Sequence, residues 1–234
     1  MTPTTSPSTP ALWRRLVAEF VGTALLVATV VGSGIMASRL SPDDVGLQLL
    51  ENSIATALGL TVLILVFAPI SGARLNPVVS LVDLAGHGRR APQAVGYIAA
   101  QVAGGIGGAI LANAMFDIPT TIAGTERVGW GTLLGEVVAT SGLLLVILAL
   151  SRTGRQALIA PAVGAYIGAA YWFTSSTSLA NPAVTIGRIF SDTFAGIAPT
   201  SALAFTGAQL VGGAVGLALA TALFPRTITR TEAS

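Results

Sequence analysis

Two short segments of the chain carry nearly the same residues. Leu75-Asn76-Pro77-Val78-Val79-Ser80 lies in the first half and Ala180-Asn181-Pro182-Ala183-Val184-Thr185 in the second. Asparagine is a preferred helix N-cap, and proline is tolerated at the first helical position. Each box therefore marks the start of a short helix, over about 77–86 and about 182–191. The free N–H groups at a helix start carry roughly half a positive charge. Two such starts meeting inside a membrane would form a barrier to protons and other cations. The amides of Asn76 and Asn181 would donate hydrogen bonds to an oxygen passing that point. Carbonyls of 71–75 and 176–180 would offer acceptors on either side, since irregular backbone at membrane depth is tolerated where it lines a wet cavity. Each Asn can also be a plain helix cap, and the two roles are compatible.

Two carboxylates, Glu19 and Glu136, sit inside apolar stretches at matching places in the two halves. A charge there is costly and marks function. One reading is a proton-coupled site. The other is a brace, in which each Glu accepts hydrogen bonds from a re-entrant loop, with Gln101 and Gln209 in related bracing roles. No nucleophile–base pair, metal cluster or phosphate loop lies near the boxes, so an enzyme is not expected.

The elements that must position these residues are membrane helices. Of 234 residues, 53% are hydrophobic and 9% charged, against roughly 25% charged in a soluble domain. The chain has no cysteine and one histidine, His87, which exclude disulfides, thiolate metal sites and a multi-histidine centre. No cofactor is expected. All 12 basic residues are arginine, in runs no longer than two, which gives no nucleic-acid-binding surface. That usage, with abundant alanine and glycine, fits a GC-rich bacterial genome. About 20 apolar residues cross a bilayer. Six stretches qualify, at about 12–37, 52–70, 92–115, 129–150, 157–174 and 199–224. Residues 1–11 read as a disordered N-terminus, 12–224 as one channel-like domain and 225–234 as a C-terminal tail.

The halves repeat, over about 12–115 and 129–224. Ala18-Glu19-Phe20-Val21-Gly22-Thr23 is echoed by Gly135-Glu136-Val137-Val138-Ala139-Thr140, and Ala100-Gln101-x-x-Gly104-Gly105-x-x-Gly108 by Ala208-Gln209-x-x-Gly212-Gly213-x-x-Gly216. Three crossings per half insert the second half from the opposite side, an inverted-topology repeat. Small-xxx-small spacing at these glycines lets helix backbones approach. With the termini in the cytoplasm, Arg14, Arg15, Arg74, Arg89, Arg90, Arg152, Arg155, Arg226 and Arg230 fall inside, and Arg39, Arg127 and Arg188 outside. That bias sets the orientation, and the expected location is a bacterial inner membrane.

The twin boxes, the Ala-Glu-Phe-x-Gly-Thr run, Ser71-Gly72-Ala73 and both Ala-Gln-x-x-Gly-Gly runs resemble the aquaporin and glycerol-facilitator family over about residues 13–224. The resemblance implies an all-α membrane protein of six transmembrane helices plus two re-entrant half-helices. It also implies a homotetramer with one pore per subunit. Most members place an arginine directly after the second box, where it forms the outer constriction with an aromatic residue and often a histidine. Here that position is Val184. By the same resemblance the other filter positions are Ser178, Leu58 and Ala169, none of them aromatic or charged. A bacterial branch that also lacks this arginine includes channels linked to arsenic handling.

The expectation is a passive channel for small uncharged solutes, namely glycerol-like polyols, neutral metalloid hydroxides such as arsenite, and water. Its partners would be those solutes and the lipid bilayer. A water-selective pore, and an ion-coupled transporter working through Glu19 or Glu136, are the alternatives. Arg188 lies four residues after Val184 and either guards the outer mouth or is solvated. Arg74 stands where members commonly carry histidine, and either lines the cytoplasmic vestibule or pairs with an acid such as Asp83.

Overall fold

A computed structural model of the chain describes residues 9–87 and 91–225, and all its regular elements are helical. The helices are α1 Leu12–Leu40, α2 Val45–Ser71, α3 Pro77–His87, α4 Ala91–Met115, α5 Trp130–Arg152, α6 Ile159–Phe173, α7 Pro182–Gly187 and α8 Pro199–Leu223. Residues 1–8, 88–90 and 226–234 lie outside the described residues, and so do the expectations placed on them.

The six expected spans correspond to α1, α2, α4, α5, α6 and α8. Five of them are long and apolar enough to cross a bilayer, and α6 has 15 residues. A 3₁₀ turn, Gln156–Leu158, leads directly into α6. With rises of about 1.5 and 2.0 Å per residue, the two together reach about 28 Å. The second span starts earlier than hydropathy suggests. Asp44 caps α2 by accepting from the Leu47 N–H at 2.9 Å. The polar residue Gln48, which reads as loop, is buried inside the helix, as is Asn52 at the start of the expected span. Asn52 donates to the Val30 carbonyl and the Ser33 hydroxyl of α1, both at 2.8 Å. Gly72, at φ +91°, ends α2 and turns the chain back toward the centre.

Glycines set the helix spacing, as the repeated motif suggests. A Cβ on Gly104 or Gly108 of α4 would meet the Phe20 or Ala24 carbonyl of α1. The second half repeats this, with Gly212 and Gly216 of α8 against the Val137 and Ser141 carbonyls of α5. Gly105 backs onto the Ala183 carbonyl of α7, and Gly213 onto the Val78 side chain of α3. Each half-helix is thus pressed against the long helix of the other half, and that contact brings the two box ends together.

Candidate functional site

The two boxes meet as reciprocal caps. The Asn76 side-chain oxygen accepts from the Val78 N–H at 2.9 Å, and that of Asn181 from the Ala183 and Val184 N–H groups at 3.0 and 3.4 Å. Each amide nitrogen then crosses to the other half. Asn76 Nδ2 donates to the Ala180 carbonyl at 2.8 Å, and Asn181 Nδ2 to the Leu75 carbonyl at 2.7 Å. An amide has two N–H donors, so the cross-tie commits one and leaves one per box. Pro77 and Pro182 open α3 and α7. Val78 and Ala183 turn away from the centre, against Gly213 and Gly105.

The loops leading into the boxes share an unusual backbone. Three residues and one residue before each Asn, the chain is left-handed: Ala73 and Leu75 have φ 44° and 49°, Ser178 and Ala180 have 52° and 48°. None of these is glycine, so each position costs about 1–2 kcal/mol. The intramembrane carboxylates hold this conformation. Glu19 accepts from the N–H groups of Arg74 and Leu75 at 3.0 and 2.8 Å. Glu136 accepts from Leu179 and Ala180, both at 2.9 Å. Gln101 donates to Glu19 at 2.7 Å and to Ser80 at 2.8 Å; Gln209 donates to Glu136 at 2.6 Å and to Thr185 at 2.8 Å. All four side chains are fully buried. Among the described residues, no group donates to the carbonyls of Gly72, Ala73 and Arg74 or of Thr177, Ser178 and Leu179.

A continuous cavity of about 900 Å³, open ends included, runs past the boxes. Asn76, Asn181, Ser178 and Val184 line it, with Arg74 and Arg188 also in its wall. The Ser178 hydroxyl is buried with no partner among the described residues. Arg188 opens a 3₁₀ turn just after α7, is 4% exposed, and donates through Nε to the Ala195 carbonyl. Its burial rules out the solvated reading. Arg74 lines the cavity, and its Nε and Nη2 reach Asp83 at 2.9 and 2.6 Å.

Two expected filter residues lie elsewhere. Leu58 is 65% exposed on the outer face of α2, and Ala169 is exposed on α6. The cavity is lined instead by Thr56, Leu60 and Ile64 from α2 and by Val163, Ile167 and Tyr171 from α6. These positions recur every four residues. Leu58 and Ala169 fall two residues out of phase, about 200° around the helix. The Thr56 and Tyr171 hydroxyls are 3.1 Å apart. The cavity wall therefore holds an aromatic phenol, absent from the four expected filter positions, beside the guanidiniums of Arg74 and Arg188. A polar stripe at four-residue spacing, Gln48, Asn52 and Thr56, carried the phase of α2 in the sequence.

The major intrinsic protein family model matches residues 6–180. The chain is 50% identical over 210 residues to aquaglyceroporin AqpS of Rhizobium meliloti, covering 89% of each protein. It is 33% identical over 198 residues to aquaporin NIP2-1 of rice, Oryza sativa subsp. japonica, covering 80% of this chain and 64% of that protein. Among solved structures, the aquaglyceroporin from Plasmodium falciparum superposes with a TM-score of 0.68 at 22% identity, over 94% of this chain and 98% of that one. The members of this family are channels and not enzymes. With the twin Asn-Pro boxes, the inverted repeat and these similarities together, the chain belongs to the major intrinsic protein family.

Proposed function

We propose that the protein is a passive channel for small uncharged solutes, with glycerol-like polyols first, then neutral metalloid hydroxides such as arsenite, and water. The observation that carries this reading is the pattern of uncommitted polar groups along the cavity. One amide N–H of each Asn and the unpaired carbonyls of 72–74, 178 and 179 match a solute's own hydroxyl donors and acceptors. An unmet hydrogen bond costs about 1–3 kcal/mol, so a hydroxylated solute that finds these partners crosses at little cost. Cations meet the positive ends of α3 and α7 and the buried Arg188 without a hydration shell. Glu19 and Glu136 are already bound by backbone and glutamine donors, which argues against a coupling site. The name of the Rhizobium relative, an aquaglyceroporin, supports the same solute class. The arginine bias places both termini in the cytoplasm of a bacterial inner membrane, and the family's homotetramer is the assembly we adopt.

A water-selective pore is the second reading, favoured by one observation. Tyr171 and Arg188 both line the cavity, an aromatic ring and a guanidinium where the expected filter positions carry neither. Solute uptake into proteoliposomes separates the readings. We expect glycerol and arsenite entry linear in the gradient and unchanged when proton and sodium gradients are collapsed. Saturable, gradient-dependent uptake would mean a transporter, and water flow without either solute would mean the second reading.

A further inference from the structure

The two box segments carry opposite charges at equivalent sequence positions, one inside α3 and one in the 3₁₀ turn that follows α7. Asp83 is the seventh residue after Asn76, and Arg188 is the seventh after Asn181. In an inverted repeat these positions face opposite mouths of one channel. Their environments differ in kind. Asp83 takes the Arg74 guanidinium by two contacts, at 2.9 Å to Nε and 2.6 Å to Nη2. Arg74 Nη1 donates to the Ser71 carbonyl at 2.5 Å, and its guanidinium lies 5.1 Å over the Tyr97 ring. At the other mouth Arg188 donates to a neutral backbone carbonyl and makes no ion pair among the described residues. Arg74 and Arg188 line the same cavity, so one of its arginines is matched by a carboxylate and the other is not.

Helix formation gives no reason for an aspartate at position 83. It lies in the second half of α3, Pro77–His87, where the helix dipole disfavours a negative charge and Asp is a poor helix former. Its bond to Arg74 compensates for that cost. An arginine freed of that bond has a long, flexible stem and a strongly solvated head, and it sits on the wall of the solute path.

We propose that positions 83 and 188 set the electrical polarity of the channel. Asp83 neutralises Arg74 and holds it against the wall, so that one mouth is neutral and open to solutes. Arg188 leaves the opposite mouth cationic, and discrimination against cations is concentrated there by low-dielectric walls that focus its field. Asp83 acts through Arg74 as a positioning residue. The proposal rests on the channel reading above.

The test is a double-substitution cycle in proteoliposomes, with water and glycerol permeability measured together for wild type, D83N, R74Q and R74Q/D83N. Size-exclusion profile and thermal unfolding in detergent report the fold of each. We expect D83N to lower glycerol permeability roughly three- to tenfold, toward the low end of the coupling between directly bonded groups. R74Q should fall less, and the double variant should recover most of what D83N loses. If D83N alone fails to assemble, a double variant that assembles and conducts still identifies the unpaired cation as the fault. D83N conducting like wild type overturns the proposal. A double variant as impaired as D83N also overturns it, because Asp83 would then act through the fold and not through Arg74. A wild type that passes neither water nor glycerol would remove the channel reading and this proposal together.

Discussion

At the scale of residues, the site is a set of reciprocal hydrogen bonds whose removal has calculable cost. Glu136 receives two backbone N–H groups and the Gln209 amide, all buried. Glu136→Ala orphans these three donors and frees a strained loop, so it should destabilise the protein by roughly 3 kcal/mol or more. Thermal unfolding in detergent checks this, and Glu136→Gln should recover part of the loss. Arg188→Ala tests the outer mouth. Removing the buried cation should raise cation leak, and a barrier lower by about 1.4 kcal/mol raises it about tenfold. Planar-bilayer conductance would record it, and an unchanged ion leak would mean that Arg188 only anchors the Ala195 carbonyl. The boxes, Glu19, Glu136, Gln101 and Gln209 were legible because the chain states each of them twice. Tyr171 was not, because no repeated partner or polar neighbour on α6 marks it.

At the scale of elements, the half-helices depend on glycine backs. Gly105 faces the Ala183 carbonyl, and a Cβ there has no room. Gly105→Val should destabilise by about 1–3 kcal/mol and lower solute flux more than the same change at Gly207, which meets nothing. The loop before α5 makes a second prediction. Thr200 and Ser201 of α8 donate to Glu126 at 2.6 and 2.5 Å, and these bonds hold its carboxyl below the usual range. A depressed pKa gives stability above the unfolded value of about 4.3, lost as pH falls through the folded value beneath it. The melting-temperature difference between wild type and Glu126→Gln should therefore be present at pH 7 and vanish as pH falls through the lowered folded-state value. Helix number and order were readable from hydropathy. The rotational phase of α2 and α6 was not, because lipid-facing and cavity-facing residues are equally apolar. Leu58 and Leu60 look alike in sequence, yet one faces outward and the other lines the cavity.

At the scale of the whole molecule, the fold is a duplicated unit closed on itself. The two halves supply one box, one carboxylate brace and one glutamine each, and exchange carbonyl bonds at the centre. That symmetry was visible in the sequence. Its breaking places Asp83 seven residues after one box asparagine and Arg188 seven after the other, and only the folded structure shows which charge is matched. The central claim is that small uncharged solutes cross this centre. Stopped-flow light scattering of proteoliposomes given a hyperosmotic glycerol shock tests it most directly. The account predicts fast shrinkage as water leaves, then fast reswelling as glycerol enters, both well above empty liposomes. Fast shrinkage with no reswelling would contradict it, and would make the Tyr171–Arg188 end a water filter.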